Sequence, residues 1–207
     1  RSLNVSLLGF FNKKEFENMH LIFAPFFEHT LAPVLVYAQT HKTFIVNAVP
    51  QKTAVLEGHL NVVNTLASTE TQITFLGSYI AGNHHGENEN VVIIKNNSAR
   101  DNYFSLFQDA YKSSSANNMF AAETYLNSGM SALKNKLIKG AKNIIVLPSK
   151  DVKFVSDFFT KLNAIVNQRA YHDYDIQVYA LGDLLSFNNI DVNYLSRFNT
   201  RFTKPSY

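Results

Sequence analysis

The chain contains no cysteine, and this absence excludes several classes of protein. Without thiols it can form no disulfide framework, no thiolate zinc site and no iron–sulfur cluster, and it has no cysteine nucleophile. Neither sign of charge is in large excess, because 19 Lys and Arg residues against 16 Asp and Glu leave a formal net charge of +3. The basic residues are scattered along the sequence, which argues against a nucleic-acid surface that follows phosphates.

Long apolar runs are missing as well. The longest candidate, residues 21–27, is stopped by Glu28, whereas a membrane span needs about 20 apolar residues. The first residues lack the pattern of a signal peptide, so we expect either a cytosolic chain or a targeting segment outside this sequence. The composition nevertheless predicts a folded protein, because 46% of the 207 residues are apolar and the net charge is low.

Motifs for cofactors and catalysis are also absent. The 8 glycines form neither Gly-x-Gly-x-x-Gly nor a P-loop, and no Gly-x-Ser-x-Gly elbow supplies a nucleophile. The most metal-like cluster, residues 84–87 (HHGE), we interpret as a solvated loop, because adjacent histidines point in different directions. Asp173 and Asp175 precede a predicted strand, which favours a turn over an acid–base pair. The sequence therefore predicts no cofactor, no metal and no enzyme.

Short runs of β-branched and aliphatic residues dominate what is present. They do not alternate with period two, which is typical of parallel strands covered on both faces. Amphipathic stretches between them indicate helices, and this alternation predicts an α/β fold of βαβ units. The predicted strands are 20–25, 43–49, 90–95, 143–148 and 176–182, with one more over 119–125. The predicted helices are 28–40, 71–82, 128–140, 150–167 and one that starts near 101.

Two of these helices are predicted in more detail. Ser149 is the expected N-cap of the helix over 150–167, with Asp151 in its first turn. In the helix over 128–140, Leu133, Leu137 and Ile138 are expected to face inward before Gly140 ends it.

The order of elements suggests two lobes rather than one sheet. The stretch over 50–68 has no strong period and falls between two series of strands and helices. We predict part of a first α/β lobe over 1–62, a crossover over 63–70, a second α/β lobe over 71–190, and a return segment over 191–207 directed towards the first lobe or a hinge.

Polar residues follow several predicted strands, at the carboxyl ends where open α/β sheets bind ligands. Their hydroxyls, amides and helix N-termini suit small polar or anionic ligands. Each residue could instead cap the helix that follows it, and for any single residue this is the more common outcome. The segments concerned are 25–30, 49–53, 95–98, 148–151 and 182–183, together with Asn47.

The chain resembles type I periplasmic binding proteins of the Leu/Ile/Val-binding group over nearly its whole length. Residues 19–26 (MHLIFAPF) are similar to that family's DLIIGP strand, with Ala24 where a Gly usually precedes the Pro. Residues 43–50 resemble the next strand, and 143–149 and 178–183 resemble strands of the second lobe. The likeness extends to a divergent branch of envelope lipoproteins that carry LysM peptidoglycan-binding repeats, and to the lipoprotein activator of penicillin-binding proteins.

The resemblance implies a two-lobed fold of parallel sheets flanked by helices, of which this sequence is expected to be an incomplete excerpt. It also implies a non-enzymatic role in the periplasm or cell envelope, with ligand contacts after the first-lobe strands. Small residues are expected there, so the bulky Phe27, His29 and Gln51 depart from the pattern and favour a repurposed cleft. The candidate ligand-binding residues are Phe27, His29, Thr30, Asn47, Gln51, Lys52, Thr53, Asn96, Ser149 and Asp183.

Three functions stay open. The first is a module that binds an amino acid, a peptide or a cell-wall fragment in the interlobe cleft. The second is a protein-interaction or scaffold domain of peptidoglycan or envelope assembly with a degenerate cleft, which the bulky cleft residues and the 17 Phe and 10 Tyr suggest. The third, an α/β enzyme, would need His29, Lys52 and Asp183 to converge. No nucleic-acid partner is expected.

Overall fold

The structure, a computed structural model, describes residues 9–96, 103–115, 122–125, 129–182 and 190–203. The chain divides into two compact units, a first unit up to Thr71 and a second unit from Gln72. Each unit contains one sheet, and every strand pair in both sheets is parallel.

The first unit is a three-stranded sheet of order β1-β2-β3. A long helix packs on it, because residues spaced three and four apart along that helix, such as Leu31, Val34 and Ala38, meet Ile45 and Val62 of the sheet. The elements are β1 (Leu21–Ala24), α1 (Glu28–His41), β2 (Phe44–Asn47), α2 (Thr53–Leu56) and β3 (Val62–Asn64), after a 3₁₀ turn at Lys14–Phe16.

The second unit is a five-stranded sheet of order β5-β4-β6-β7-β8. Its elements, in chain order, are α3 (Thr69–Asn83), β4 (Glu89–Lys95), α4 (Tyr103–Ser114), β5 (Ala122–Tyr125), α5 (Gly129–Lys134), β6 (Lys142–Leu147), α6 (Val152–Val166), β7 (Asp175–Ala180), α7 (Val192–Arg197) and β8 (Arg201–Phe202). None of the described helices in either unit is long and apolar enough to cross a membrane.

Both faces of the second sheet are buried. Along β4, Val92 and Ile94 face a cluster built on α6, whereas Val91 and Ile93 face a cluster built on α3 and α4. Two covered faces explain why the central strands are uniformly apolar. The helical layer is tightly packed, since a Cβ added to Gly77 of α3 would lie 2.7 Å from the backbone oxygen of Phe107 in α4.

In the first sheet, by contrast, only one of the two faces is buried among the described residues. Ile22, Ala24 and Ile45 face the α1 cluster, whereas Leu21, Phe23 and Phe44, on the opposite face, are more than half exposed. The prediction that every strand is covered on both faces is therefore confirmed for the central strands of the second sheet and wrong for the first sheet.

The predicted strands are confirmed within one or two residues at most ends, and the last part of 119–125 forms β5. Three details are corrected. Asp151, not Ser149, is the N-cap of α6, because its side chain accepts a hydrogen bond from the backbone N–H of Phe154. The helix predicted over 128–140 ends at Lys134, and Ile138 is exposed. The three-residue β3 was not predicted, since a run this short gives no periodic signal.

Part of the predicted crossover and return segments is regular structure. The last two residues of β3 lie inside the predicted crossover over 63–70, and α3 begins there. Residues 191–203, from the predicted return segment, supply α7 and β8, and β8 pairs with β7 at the edge of the second sheet. The predicted domain limits stay predictions.

Candidate functional site

At the carboxyl end of β2, Asn47 is fully buried and its side chain bonds to the loop that follows β1. Its Oδ1 accepts hydrogen bonds from the backbone N–H groups of Phe26 (2.8 Å) and Val49 (3.3 Å), and its Nδ2 donates to the Val49 carbonyl. A buried amide that satisfies backbone groups in this way fixes the loops around it. Asn47 thereby positions the segment that precedes Phe27.

Gln51 supports the same loop through the other backbone polar group of Phe26. Its side chain is buried, and its Nε2 donates to the carbonyl oxygen of Phe26 at 2.7 Å. Both backbone polar groups of Phe26 are thus bonded to side chains, one at the end of β2 and one just after it. The structure therefore brings the predicted residues Asn47 and Gln51 together, in contacts that hold the loop in place.

The residues after β1 present an aromatic pair to solvent. Phe27 is 55% exposed, and its ring stacks on the exposed ring of His29 at 6.0 Å between centroids. Thr30 turns its hydroxyl back to donate to the Phe27 carbonyl at 2.9 Å, so it does not point outward into solvent as a free donor. Of the three predicted residues, Phe27 and His29 are the ones whose side chains face outward.

After β2, Lys52 is exposed and occupies the N-cap position of α2, where its side chain makes no capping bond. Thr53 is the first residue of that four-residue helix. The first unit thus presents a cation, an imidazole and a phenyl ring after the strands β1 and β2.

In the second unit, the structure brings together two of the three predicted residues. Asn96 follows β4 and Ser149 follows the neighbouring β6, and the Asn96 Nδ2 donates to the Ser149 Oγ at 3.4 Å. Ser149 is fully buried, and its Oγ also accepts from the backbone N–H of Asp151 at 3.2 Å, just before α6. Asp183 lies outside the described residues.

The interpretation of residues 84–87 as a solvated loop is wrong for His84. Its ring is buried, with Nδ1 at 2.9 Å from Glu89 Oε1 and Nε2 at 2.8 Å from the Tyr179 hydroxyl. Burial, together with the neighbouring Tyr79, raises the pKa of Tyr179 to about 12, so its hydroxyl stays neutral. No local pattern could have revealed this contact, because His84 and Tyr179 lie 95 residues apart in sequence.

Elsewhere in the described residues, no group of three or more His, Asp or Glu side chains could hold a metal ion. His172 and Asp173 pair at 2.7 Å on an exposed turn before β7, as expected for a turn. A surface cavity of about 190 Å³ lies in the first unit, lined among others by Leu35, Ala38 and His59. His59 precedes β3, so this cavity lies at the strand ends opposite to Phe27 and Lys52.

Neither a family model nor a curated protein sequence matches this chain, but solved structures do. A putative branched-chain amino acid ABC transporter of Rhodospirillum rubrum matches 95% of this chain and 54% of its own, with a TM-score of 0.61 and 8% identity. An ABC transporter substrate-binding protein of Desulfitobacterium hafniense, in complex with Leu, matches 86% of this chain and 50% of its own (TM-score 0.58, 11% identity).

Full-length LpoA of Haemophilus influenzae matches 95% of this chain and 34% of its own, with a TM-score of 0.50 and 9% identity. At these identities the matches show the fold alone. The chain has the parallel α/β fold of type I periplasmic binding proteins, as the sequence predicted, and it spans about half the length of the substrate-binding proteins that it matches.

Proposed function

We propose that this chain is part of a non-enzymatic ligand-binding module of the bacterial cell envelope. The observation that carries the proposal is the fold, because two units of wholly parallel strands match substrate-binding proteins over up to 90% of this chain. In such sheets, ligands bind beyond the carboxyl ends of the strands. The predicted residues follow those ends in both units.

The side chains that face outward suggest the ligand's chemistry. Lys52 and His29 can bind a carboxylate, and the exposed ring of Phe27 can contact an apolar or aromatic group. Asn47 and Gln51 would act indirectly, by holding the loop that carries Phe27. These features fit a small carboxylate ligand, namely an amino acid, a peptide or a cell-wall fragment, and the structure from Desulfitobacterium hafniense was determined with Leu.

The test is a thermal-shift screen against amino acids, short peptides and muropeptides. A ligand at 100 times its Kd should add about 2.7 kcal/mol to the free energy of unfolding. Lys52→Gln should weaken the binding of a carboxylate ligand about tenfold or more, because a charge-assisted hydrogen bond is lost. Lys42→Gln is the matched control, since Lys42 lies at the other end of α1. If no compound in the panel shifts the transition, the small-ligand proposal fails.

A second candidate function is a protein-interaction or scaffold domain in peptidoglycan or envelope assembly. It is favoured by the bulky Phe27 and His29, and by the commitment of the Asn47 and Gln51 amides to backbone groups. Capture from an envelope extract would test it. Phe27→Ser should then abolish capture of a specific partner, whereas Phe75→Ser, at a similarly exposed phenylalanine of α3, should not. Capture that Phe27→Ser leaves intact would contradict this second function.

A further inference from the structure

The strand β3 is the outer strand of the first sheet, and on one side it pairs with no other described strand. The Asn61 carbonyl and the Thr65 N–H, just before and just after β3, bond to β2. Because successive residues of a strand direct their backbone groups to opposite sides, those of Val62 and Asn64 lie on the outer side. We call this outer side of β3, over Val62–Asn64, the free edge.

The free edge offers backbone groups to an additional strand. The Val62 N–H donates to the His59 carbonyl at 3.1 Å, but the Val62 carbonyl and both backbone groups of Asn64 have no hydrogen-bond partner among the described residues. The free edge also carries no charged side chain and no proline, which commonly block edge pairing. Its short length limits an added strand to about two or three hydrogen bonds, so the remaining affinity has to come from side chains.

The surface cavity of about 190 Å³ lies beside the free edge, between β3 and α1. Its apolar lining includes Leu35 and Ala38 of α1 and Val62 of β3, all of them buried. A crossover between parallel strands normally lays a helix over the sheet. Here the crossover from β2 to β3 carries only the four-residue α2, which adds Val55 and Leu56 to the layer on this face. The helical layer is therefore incomplete beside the start of β3.

The volume of the cavity fits one side chain. An apolar cavity of about 150 Å³ accepts benzene, so this cavity of about 190 Å³ has room for a phenyl ring or a leucine side chain. Sites that hold whole small molecules are larger, at about 300–1,000 Å³. The cavity therefore suits one apolar side chain of a larger partner better than a free metabolite.

A strand added at the free edge would direct a side chain to the cavity. Side chains of paired strands alternate between the two faces in register. A partner residue beside Val62 would therefore point to the α1 side, where the cavity lies. The residues before and after it would point to the other face, beside Val63, which is 52% exposed. Main-chain pairing combined with a pocket for alternate side chains is an established mode of peptide recognition.

We propose that the free edge and the cavity together bind an extended peptide of a partner protein, which pairs with β3 and inserts one aromatic or leucine side chain into the cavity. The cavity lies at the strand ends opposite to Phe27 and Lys52. The proposal is therefore separate from the proposed ligand site and does not rest on it.

Selection from a library of short random peptides, displayed on phage and panned against the full-length polypeptide, tests the proposal. The expected consensus has one Phe, Tyr or Leu at a fixed position with β-branched neighbours, because such residues suit an extended strand. A peptide of that consensus is then synthesised, and its Kd is measured by fluorescence polarisation. The absence of any enriched consensus, or a consensus with helical periodicity, would overturn the proposal.

Two substitutions at one position test the free edge. Asn64→Pro removes the outward N–H, and proline is tolerated at such an edge position because the bonds to β2 come from the neighbouring residues. It should weaken binding of the consensus peptide about tenfold or more. Asn64→Val is the matched control, since both variants lose the side-chain bond to the Leu66 carbonyl and only proline loses the N–H. If Asn64→Pro does not fold, hydrogen exchange replaces it, because saturating peptide should slow exchange of the Asn64 N–H about tenfold or more.

A second pair of substitutions tests the cavity. Gln39→Trp places a large ring in the lining of the cavity at an exposed position and should weaken peptide binding about tenfold or more. Val36→Trp, at an exposed position of the same helix outside the lining, is the matched control and should bind normally. Lys52→Gln should leave the Kd of the peptide unchanged, so this proposal and the small-ligand proposal can fail independently. Unchanged peptide affinity in Gln39→Trp, or unchanged exchange of the Asn64 N–H, would overturn the proposal.

Discussion

The two sheets of this molecule follow the same parallel pairing but differ in how their faces are covered. The second sheet has a helical layer on each face, and most side chains of β4, β6 and β7 are buried. Among the described residues, the first sheet has a helical layer on one face only, and its other face exposes Leu and Phe. Because burial of apolar surface is the main stabilising contribution, equivalent substitutions should have very different effects in the two units.

The largest expected difference is between two phenylalanines. Phe158 of α6 is fully buried and packs edge-to-face on Phe159 at 5.3 Å, so Phe158→Ala should lower the free energy of unfolding by about 3–5 kcal/mol. Phe23→Ala, on the exposed face of the first sheet, should change it by less than about 0.5 kcal/mol. Denaturant titration followed by circular dichroism measures both. Equal losses would contradict the assignment of Phe23 to an uncovered face.

A smaller effect tests how closely the second sheet's helices pack. Alanine at Gly77 would place a Cβ 2.7 Å from the Phe107 oxygen and 2.9 Å from the Ala110 Cβ, so Gly77→Ala should cost about 1–3 kcal/mol. Gly82 lies in the same helix, and a Cβ added there would meet no atom of the described residues outside its own helical turns within 4 Å. Gly82→Ala should therefore stabilise by up to about 1 kcal/mol, because alanine favours the helix. If both variants are stabilised, the two helices are less closely packed than described.

The fold was largely predictable because its strands are local, uniformly apolar runs. Segments such as 143–148 carry a signal that does not depend on the rest of the chain. The exposed face of the first sheet could not be predicted in this way, because Leu21 and Phe23 are of the same apolar residue types that occur in buried strands. Whether they are covered depends on what packs against them, and that information is not local.

For the candidate site, the sequence predicted polar residues at strand carboxyl ends, and their role as ligand contacts stays a prediction. The structure adds that Asn47 and Gln51 turn towards the loop after β1. Their side chains bond to Phe26, a partner more than 20 residues away, and the sequence around an amide does not indicate which way it turns. The burial of His84 could not be predicted for the same reason. Its ring contacts both the nearby Glu89 and Tyr179, which lies 95 residues away in sequence.

The smallest expected effect concerns Glu89, which holds His84 beside the helical layer of the second sheet. Burial would raise the pKa of Glu89, but the hydrogen bonds from His84 and the Gly86 N–H, with the electrostatic attraction of His84 and Lys142, outweigh burial and lower it. Ionised Glu89 therefore stabilises the folded state above its unfolded pKa, and this contribution disappears as the pH falls through the lowered value. Glu89→Gln should thus be less stable than the unmodified chain at pH 7, and the difference should shrink as the pH falls and the Glu89 carboxylate becomes protonated. Glu87→Gln, on the exposed part of the same loop, should show no such pH-dependent difference in denaturant titrations. A Glu89→Gln deficit that stays constant as the pH is lowered from neutral to acidic would show that the loss is steric rather than electrostatic.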